Sequence, residues 1–262
     1  GQGLRAGKQP PCQSGSWLLR TACHRTRSSP EPSGVRSLTS QPSSERIFNA
    51  PAVVVILAAV LPALFWIQMQ LPDRGLSFAL QPASLWRGDG WPTLLTSMFI
   101  HGGWEHVALN AVGVLCFGPP VARLVRGARG VAGFLGFYLV AGLAGTAGYA
   151  LVHPDSVDAL GGASGAVFGL MGGALRLLGR RKGQLGGLTD RRFLTMAAVI
   201  MALNVVTGLV GLANISPGSR IAWEAHAFGF AAGALLIGPW ARAFRSRPTS
   251  FDSPSDLGDP HS

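Results

Sequence analysis

From residue 48 onward the chain repeatedly presents apolar stretches of near-helical membrane length, and this constrains its fold more than any other feature. A bilayer core of ~30 Å is crossed by a helix of about 20 apolar residues. Six such stretches are predicted, over approximately 48–67, 104–122, 131–152, 162–178, 193–213 and 222–241. The composition fits that environment, with 48% hydrophobic and only 13% charged residues, against about a quarter charged in ordinary soluble domains. The expected class is therefore an all-α polytopic membrane protein, a bundle of six transmembrane helices.

Charge placement sets the expected orientation. The tail before the first span carries seven Lys/Arg. The second-to-third connection adds Arg123, Arg126 and Arg129, and the fourth-to-fifth connection adds six more; with three in the C-terminal flank the total is nineteen. The alternate connections hold three, Arg74, Arg87 and Arg220. Cytoplasmic loops collect Lys and Arg, so both termini are expected in the cytoplasm. The net charge of +10 thus reads as topology, with no nucleic-acid partner. Cys12, Cys23 and Cys116 show no CxxC spacing and imply neither a disulfide framework nor a zinc site. Residues 1–47, rich in Ser, Pro, Arg and Gly, read as a disordered basic cytoplasmic tail, with an organellar transit peptide as the alternative. Residues 246–262 read as a second disordered tail, leaving 48–245 as the membrane domain. The loop 68–103, with Trp86, Trp91 and several prolines, is expected to be interfacial or functional.

Polar side chains in a membrane are costly and usually functional. On the predicted topology, spans two, four and six all begin on the outer side. At ~1.5 Å rise per residue, His106, Asn110, Ser164 and His226 then share the outer third of the bilayer. A serine becomes a nucleophile when a neighbouring histidine accepts its proton, and Ser164 with His226 supplies that pair. The oxyanion formed on attack needs preorganised donors; His106 and Asn110, four residues apart, share a helix face and could supply them. No aspartate lies in the spans to orient His226, which predicts a dyad. Gly161, Gly165, Gly169 and Gly173 recur every four residues, and Gly229 and Gly233 repeat the spacing in span six. Small residues so spaced let membrane helices approach closely. Gly165, Gly169, Gly229 and Gly233 are the expected packing positions that bring Ser164 to His226.

These motifs carry a resemblance. Gly162-Ala163-Ser164-Gly165-Ala166-Val167-Phe168-Gly169 resembles the rhomboid GxSGxxxG motif. Ala225-His226-Ala227-Phe228-Gly229, continued to Gly233, resembles the family's AHxxGxxxG motif, and His106 to Asn110 its HxxxN motif. The run Leu95 to Trp104 is also similar to the family's approach to that segment, and the resemblance covers roughly 48–245. It implies an intramembrane serine endopeptidase with Ser164 as nucleophile and His226 as general base. His106, Asn110 and the backbone of Ser164 would form the oxyanion hole, with Gly162 among the substrate-stabilising positions. Implied substrates are transmembrane proteins, cut beside a small residue near the outer surface, after entry past span five and the 214–221 loop. No cofactor or metal is implied, and the expected location is a bacterial inner membrane. The family's Trp-Arg pair before span two is displaced here: Trp86-Arg87 lies too far upstream, while Trp91-Pro92 lies at nearly the right distance.

Other readings compete. Ser164 among glycines could be plain small-residue packing, His226 a hydrogen-bonded interior histidine, and Asn110 polar glue. A non-catalytic rhomboid-like protein that escorts membrane clients is the second functional class. His101 to His106 differs from the HxxEH zinc pattern by one residue, which on a helix would hold the rings about 140° apart. Gly88-Asp89 has no second intramembrane aspartate beside it. His101 is expected to be an interfacial anchor, Glu105 and Glu224 to face outer water, Trp104 and Trp223 to belong to an interfacial belt, and Asn204 to bridge helices.

Overall fold

A computed structural model describes residues 50–125, 129–178, 184–210 and 221–244, and among them the chain is helical, with one isolated antiparallel bridge between Leu80 and Leu160. The helices are α1 (Ala52–Gln68), α2 (Pro82–Arg87), α3 (Thr93–Thr96), α4 (Trp104–Leu124), α5 (Gly130–Val152), α6 (Ser164–Leu175), α7 (Arg191–Val210) and α8 (Trp223–Phe244). Four of them, α4, α5, α7 and α8, are long and apolar enough to cross a membrane by length and composition. Two shorter apolar helices accompany them, α1 with 17 residues and α6 with 12.

The predicted fourth span, 162–178, is longer than the helix that forms. Gly161, Gly162 and Ala163 stay outside α6, and Arg176–Leu178 is a turn. Gly162 has φ 138°, a region few side chains adopt, so the helix starts only at Ser164. At ~1.5 Å per residue, a 12-residue helix is about 18 Å long and cannot cross a bilayer core unaided. The other boundaries shift by a few residues; residues 48–49 and 211–213 of the predicted spans lie outside the described residues, as do both tails and most of the 214–221 loop.

The loop 68–103 is more ordered than its composition suggested. It folds into α2, α3 and two 3-10 turns, Leu76–Phe78 and Ser97–Phe99. Proline explains one start: Pro82 occupies the first turn of α2, where its missing N–H removes no helical bond. Gly88 ends that helix in the left-handed region. The loop is tied at three points. Gln68 at the end of α1 donates to the carbonyls of Arg74 and His101 and accepts from the His101 N–H, at 2.9–3.0 Å. Leu80 and Leu160 exchange both backbone hydrogen bonds, at 2.8 and 2.9 Å. Thr146 of α5 donates to the carbonyl of Leu94 at 3.0 Å.

At the centre lies α6, packed against α4, α5 and α8. Eight of its residues are buried, from Gly165 to Ala174. In lipid there is little hydrophobic drive between helices, so close van der Waals packing must hold them. The α6–α8 seam supplies it: a Cβ built on Gly229 would overlap the Gly165 carbonyl, and one on Gly233 the Gly169 carbonyl. Peripheral α7 has 11% of its apolar window buried, against 39–44% for the other long helices. It meets α8 through Phe193 against Phe230, ring centroids 6.3 Å apart.

Replacing Gly233 with Val must separate α6 from α8, because the obstructing atoms are backbone. We expect Gly233→Val to lower the thermal unfolding temperature in detergent and to reduce the reactivity of Ser164 by ~10²-fold, the effect of about a 1 Å misplacement. Unchanged melting and unchanged reactivity would show that this seam is not close-packed.

Candidate functional site

Ser164 begins α6, and its side chain stands where the helix meets the glycine turn. His226 lies on the first turn of α8, three residues before Gly229. The seam carries them together, with His226 Nε2 2.7 Å from Ser164 Oγ. Phe168, one turn after Ser164, stacks on the His226 imidazole at 4.3 Å with an interplanar angle of 5°. The ring is therefore fixed in plane by an aromatic face and at its Nε2 edge by a hydroxyl.

A cavity of about 1360 Å³ opens over this pair; His106, Asn110, Gly162 and Trp223 help to line it. Asn110 is 4% exposed, and its Nδ2 has no hydrogen-bond partner among the described residues. A buried amide donor without a partner is uncommon and calls for an explanation. The His106 ring lies against the α-carbon of Gly162, where a built Cβ would stand 2.8 Å from its Cε1 and Nε2. Gly162 therefore contributes room for that ring. Its N–H is not available as a donor, because it is given to the Ser97 carbonyl at 2.9 Å. The first-turn N–H groups of α6, by contrast, have no partner within the helix, and the positive end of the helix dipole lies at Ser164.

Three residues differ from expectation. His101 is not a surface anchor: it is 2% exposed, held through its backbone by Gln68, with its ring 5.2 Å from that of His106. Burial, aided by His106, pushes the His101 imidazole down to about 3, so it is neutral at ordinary pH. Glu224 does not simply face water. Its Oε1 lies 3.1 Å from His153 Nε2, joining the start of α8 to the end of α5. Asn204 does more than bridge helices, since its Oδ1 lies 2.7 Å from His226 Nδ1. Neither Asn204 nor Phe168 was singled out for the site from sequence. Asn204 lies six residues before the end of α7, at a depth that could have matched Ser164, but helix rotation was not legible. Glu105 is exposed, and Trp104 is half-exposed with its ring edge-on to Phe65 at 4.9 Å.

Outside the helices, Asp73 lies in the wall of the cavity and accepts from the N–H groups of Ser77 and Gly75 at 2.7 and 2.9 Å. Those bonds, Ser77 first, hold its carboxyl below the usual range.

Comparison with known proteins agrees with this architecture. The Rhomboid domain family model matches residues 83–242. YdcA of Bacillus subtilis (strain 168), whose name gives it as a candidate rhomboid protease, is 29% identical over 198 residues. That alignment covers 71% of this chain and 86% of the relative.

An offset-stacked aromatic pair is worth about 0.5–1.5 kcal/mol beyond its burial. Phe168→Ala should therefore slow modification of Ser164 by a fluorophosphonate roughly two- to tenfold. Labelling at the wild-type rate would mean that the stacked ring does not hold His226.

Proposed function

The chain is an integral membrane protein of the rhomboid family, and on that premise we propose that it is a serine endopeptidase cutting other membrane proteins in or near their transmembrane segments. The observation that carries this reading is the 2.7 Å contact between Ser164 Oγ and His226 Nε2 beneath a large cavity. A lone serine in a glycine-rich helix would suit packing as well, but packing does not call for an imidazole nitrogen aimed at the hydroxyl.

In this mechanism His226 Nε2 takes the Ser164 proton as Oγ attacks the scissile carbonyl carbon. The carbonyl oxygen becomes an oxyanion. Its donors in this proposal are His106, Asn110, whose Nδ2 has no partner among the described residues, and the backbone N–H of Ser164 at the start of α6; His106, Asn110 and Ser164 all line the cavity. Collapse of the tetrahedral intermediate breaks the C–N bond, and His226 returns the proton to the leaving amine. Water, admitted through the cavity, then attacks the acyl-serine; His226 accepts its proton and gives it back to Oγ. The products are two peptide ends and the original enzyme, with no cofactor consumed.

The finer topology belongs to the same proposal. Helices α1 and α6 complete six membrane segments, α6 reaching the required depth with the help of the 153–163 loop. Nonhelical backbone at that depth is tolerable where protein or a water-filled cavity surrounds it. Both termini would be cytoplasmic, in a bacterial inner membrane, and substrates would approach past the sparsely packed α7. The competing class, a non-catalytic escort of membrane clients, would have no use for the Ser164–His226 contact.

Ser164→Ala should abolish cleavage of a model transmembrane substrate while leaving the protein folded; substantial residual cleavage would remove Ser164 from the mechanism. Asn110→Ala should lower kcat by about 10²–10³, the usual effect of losing one oxyanion donor. An unchanged kcat would make Asn110 a helix-packing residue only.

A further inference from the structure

Asn204 is a buried polar residue of α7 that the mechanism above leaves unused. It is 4% exposed, and both ends of its amide are engaged. Nδ2 donates to the backbone carbonyl of Trp223 at 2.8 Å, and Oδ1 lies 2.7 Å from His226 Nδ1. These contacts continue the one between His226 Nε2 and Ser164 Oγ. Four groups from three helices therefore form one line: the Trp223 carbonyl, the Asn204 amide, the His226 imidazole and the Ser164 hydroxyl.

The direction of every bond in that line follows from its first member. A backbone carbonyl has lone pairs and no proton, so the amide can present only its NH₂ there; the flipped amide would set oxygen against oxygen. Oδ1 must then face the imidazole. Oδ1 is an acceptor only, so the contact at 2.7 Å requires a proton on Nδ1. A neutral imidazole carries one proton, which leaves Nε2 with its lone pair toward Ser164. The hydroxyl then donates, as attack requires. In histidine sites generally, the hydrogen bond at one ring nitrogen decides which nitrogen is protonated.

We infer that Asn204 is a positioning residue, which uses the Trp223 carbonyl as a fixed reference to lock His226 in the tautomer that can accept the Ser164 proton. The inference rests on the Ser164–His226 mechanism above. Stacking by Phe168 fixes the ring plane but is indifferent to which nitrogen bears the proton. The amide makes that choice. Its role persists through the reaction: once Nε2 is protonated, Nδ1–H still donates to Oδ1, so the same contact stabilises the imidazolium. The amide is also the polar tie from the outer half of peripheral α7 to the base. Outward displacement of that half would withdraw Oδ1 from Nδ1, coupling the position of α7 to the readiness of the base.

The test is ¹⁵N NMR of the histidine side chains in the full-length detergent-solubilised protein, combined with kinetics on a transmembrane substrate. In the wild type, His226 should carry its proton on Nδ1 and none on Nε2. Asn204→Leu, near in size but without an acceptor, should populate the other tautomer. It should lower kcat on the order of 10²-fold, as a misplaced catalytic group does, with KM unchanged. Asn204→Asp, as the neutral acid that burial favours, keeps both roles: its O–H can donate to the Trp223 carbonyl while its other oxygen accepts from Nδ1–H, so it should restore the tautomer and regain at least about tenfold of the lost rate. Purely structural glue would move stability without this ordering. The inference is overturned if wild-type His226 is protonated on Nε2, a result that needs no variant to fold. It is equally overturned if Asp and Leu at position 204 give the same tautomer and the same kcat. Failure of the underlying mechanism would look different: wild-type protein would neither cleave substrate nor label at Ser164, whatever tautomer His226 adopts.

Discussion

The backbone-to-backbone approach of α6 and α8 is the constraint on which the site depends. Ser164 and His226 are 62 residues apart in sequence and belong to different helices. A serine and a histidine have short side chains, so their contact at 2.7 Å, with the imidazole stacked on Phe168, needs a narrow gap between the two helices. The gap closes because Gly229 and Gly233 face the carbonyls of Gly165 and Gly169, where any Cβ would collide. In lipid the compensation for this precision is dispersion contact along the seam, since apolar burial alone distinguishes little between helix and lipid neighbours. The glycines give up helix propensity, an arrangement workable in a helix walled by α4, α5 and α8.

Around that seam, polar ties fix what packing leaves free. The Gln68 amide holds the backbone of His101, anchoring the long loop beside the cavity. The neutral, buried His101 abuts His106 and adds no charge to that wall of the cavity. The His153–Glu224 contact joins α5 to the start of α8 just before His226. Each tie lies at the end of a helix or in the loops that join the helices.

Much of this was legible in the sequence because membrane helices advertise themselves by length and apolarity. Each of the six apolar segments contains a helix among the described residues, four of them long and apolar enough to cross a membrane. The four-residue glycine spacing and the shared face of His106 and Asn110 could be read from helical periodicity, whereas the common depth of Ser164, His226, His106 and Asn110 needed the charge-derived topology as well. The 12-residue length of α6 could not be read, because it is set at one end by the backbone conformation at Gly162 and at the other by the turn at Arg176–Leu178. The order in the 68–103 loop was hidden as well, since it depends on partners as distant as Thr146 and Leu160. Asn204 shows the general difficulty most clearly. Its depth could be counted, but whether its amide met lipid, another helix or the imidazole depended on the rotation of a helix with little buried surface to reveal it.

The claim that matters most is that His226 activates Ser164 because the α6–α8 seam holds them in contact. The most direct measurement is the rate and position of fluorophosphonate modification in native membranes, mapped by mass spectrometry, for the wild type and for His226→Ala. The account predicts a single adduct on Ser164 in the wild type and loss of that adduct when the imidazole is removed. Modification at another residue, or equal labelling of Ser164 without His226, would contradict it.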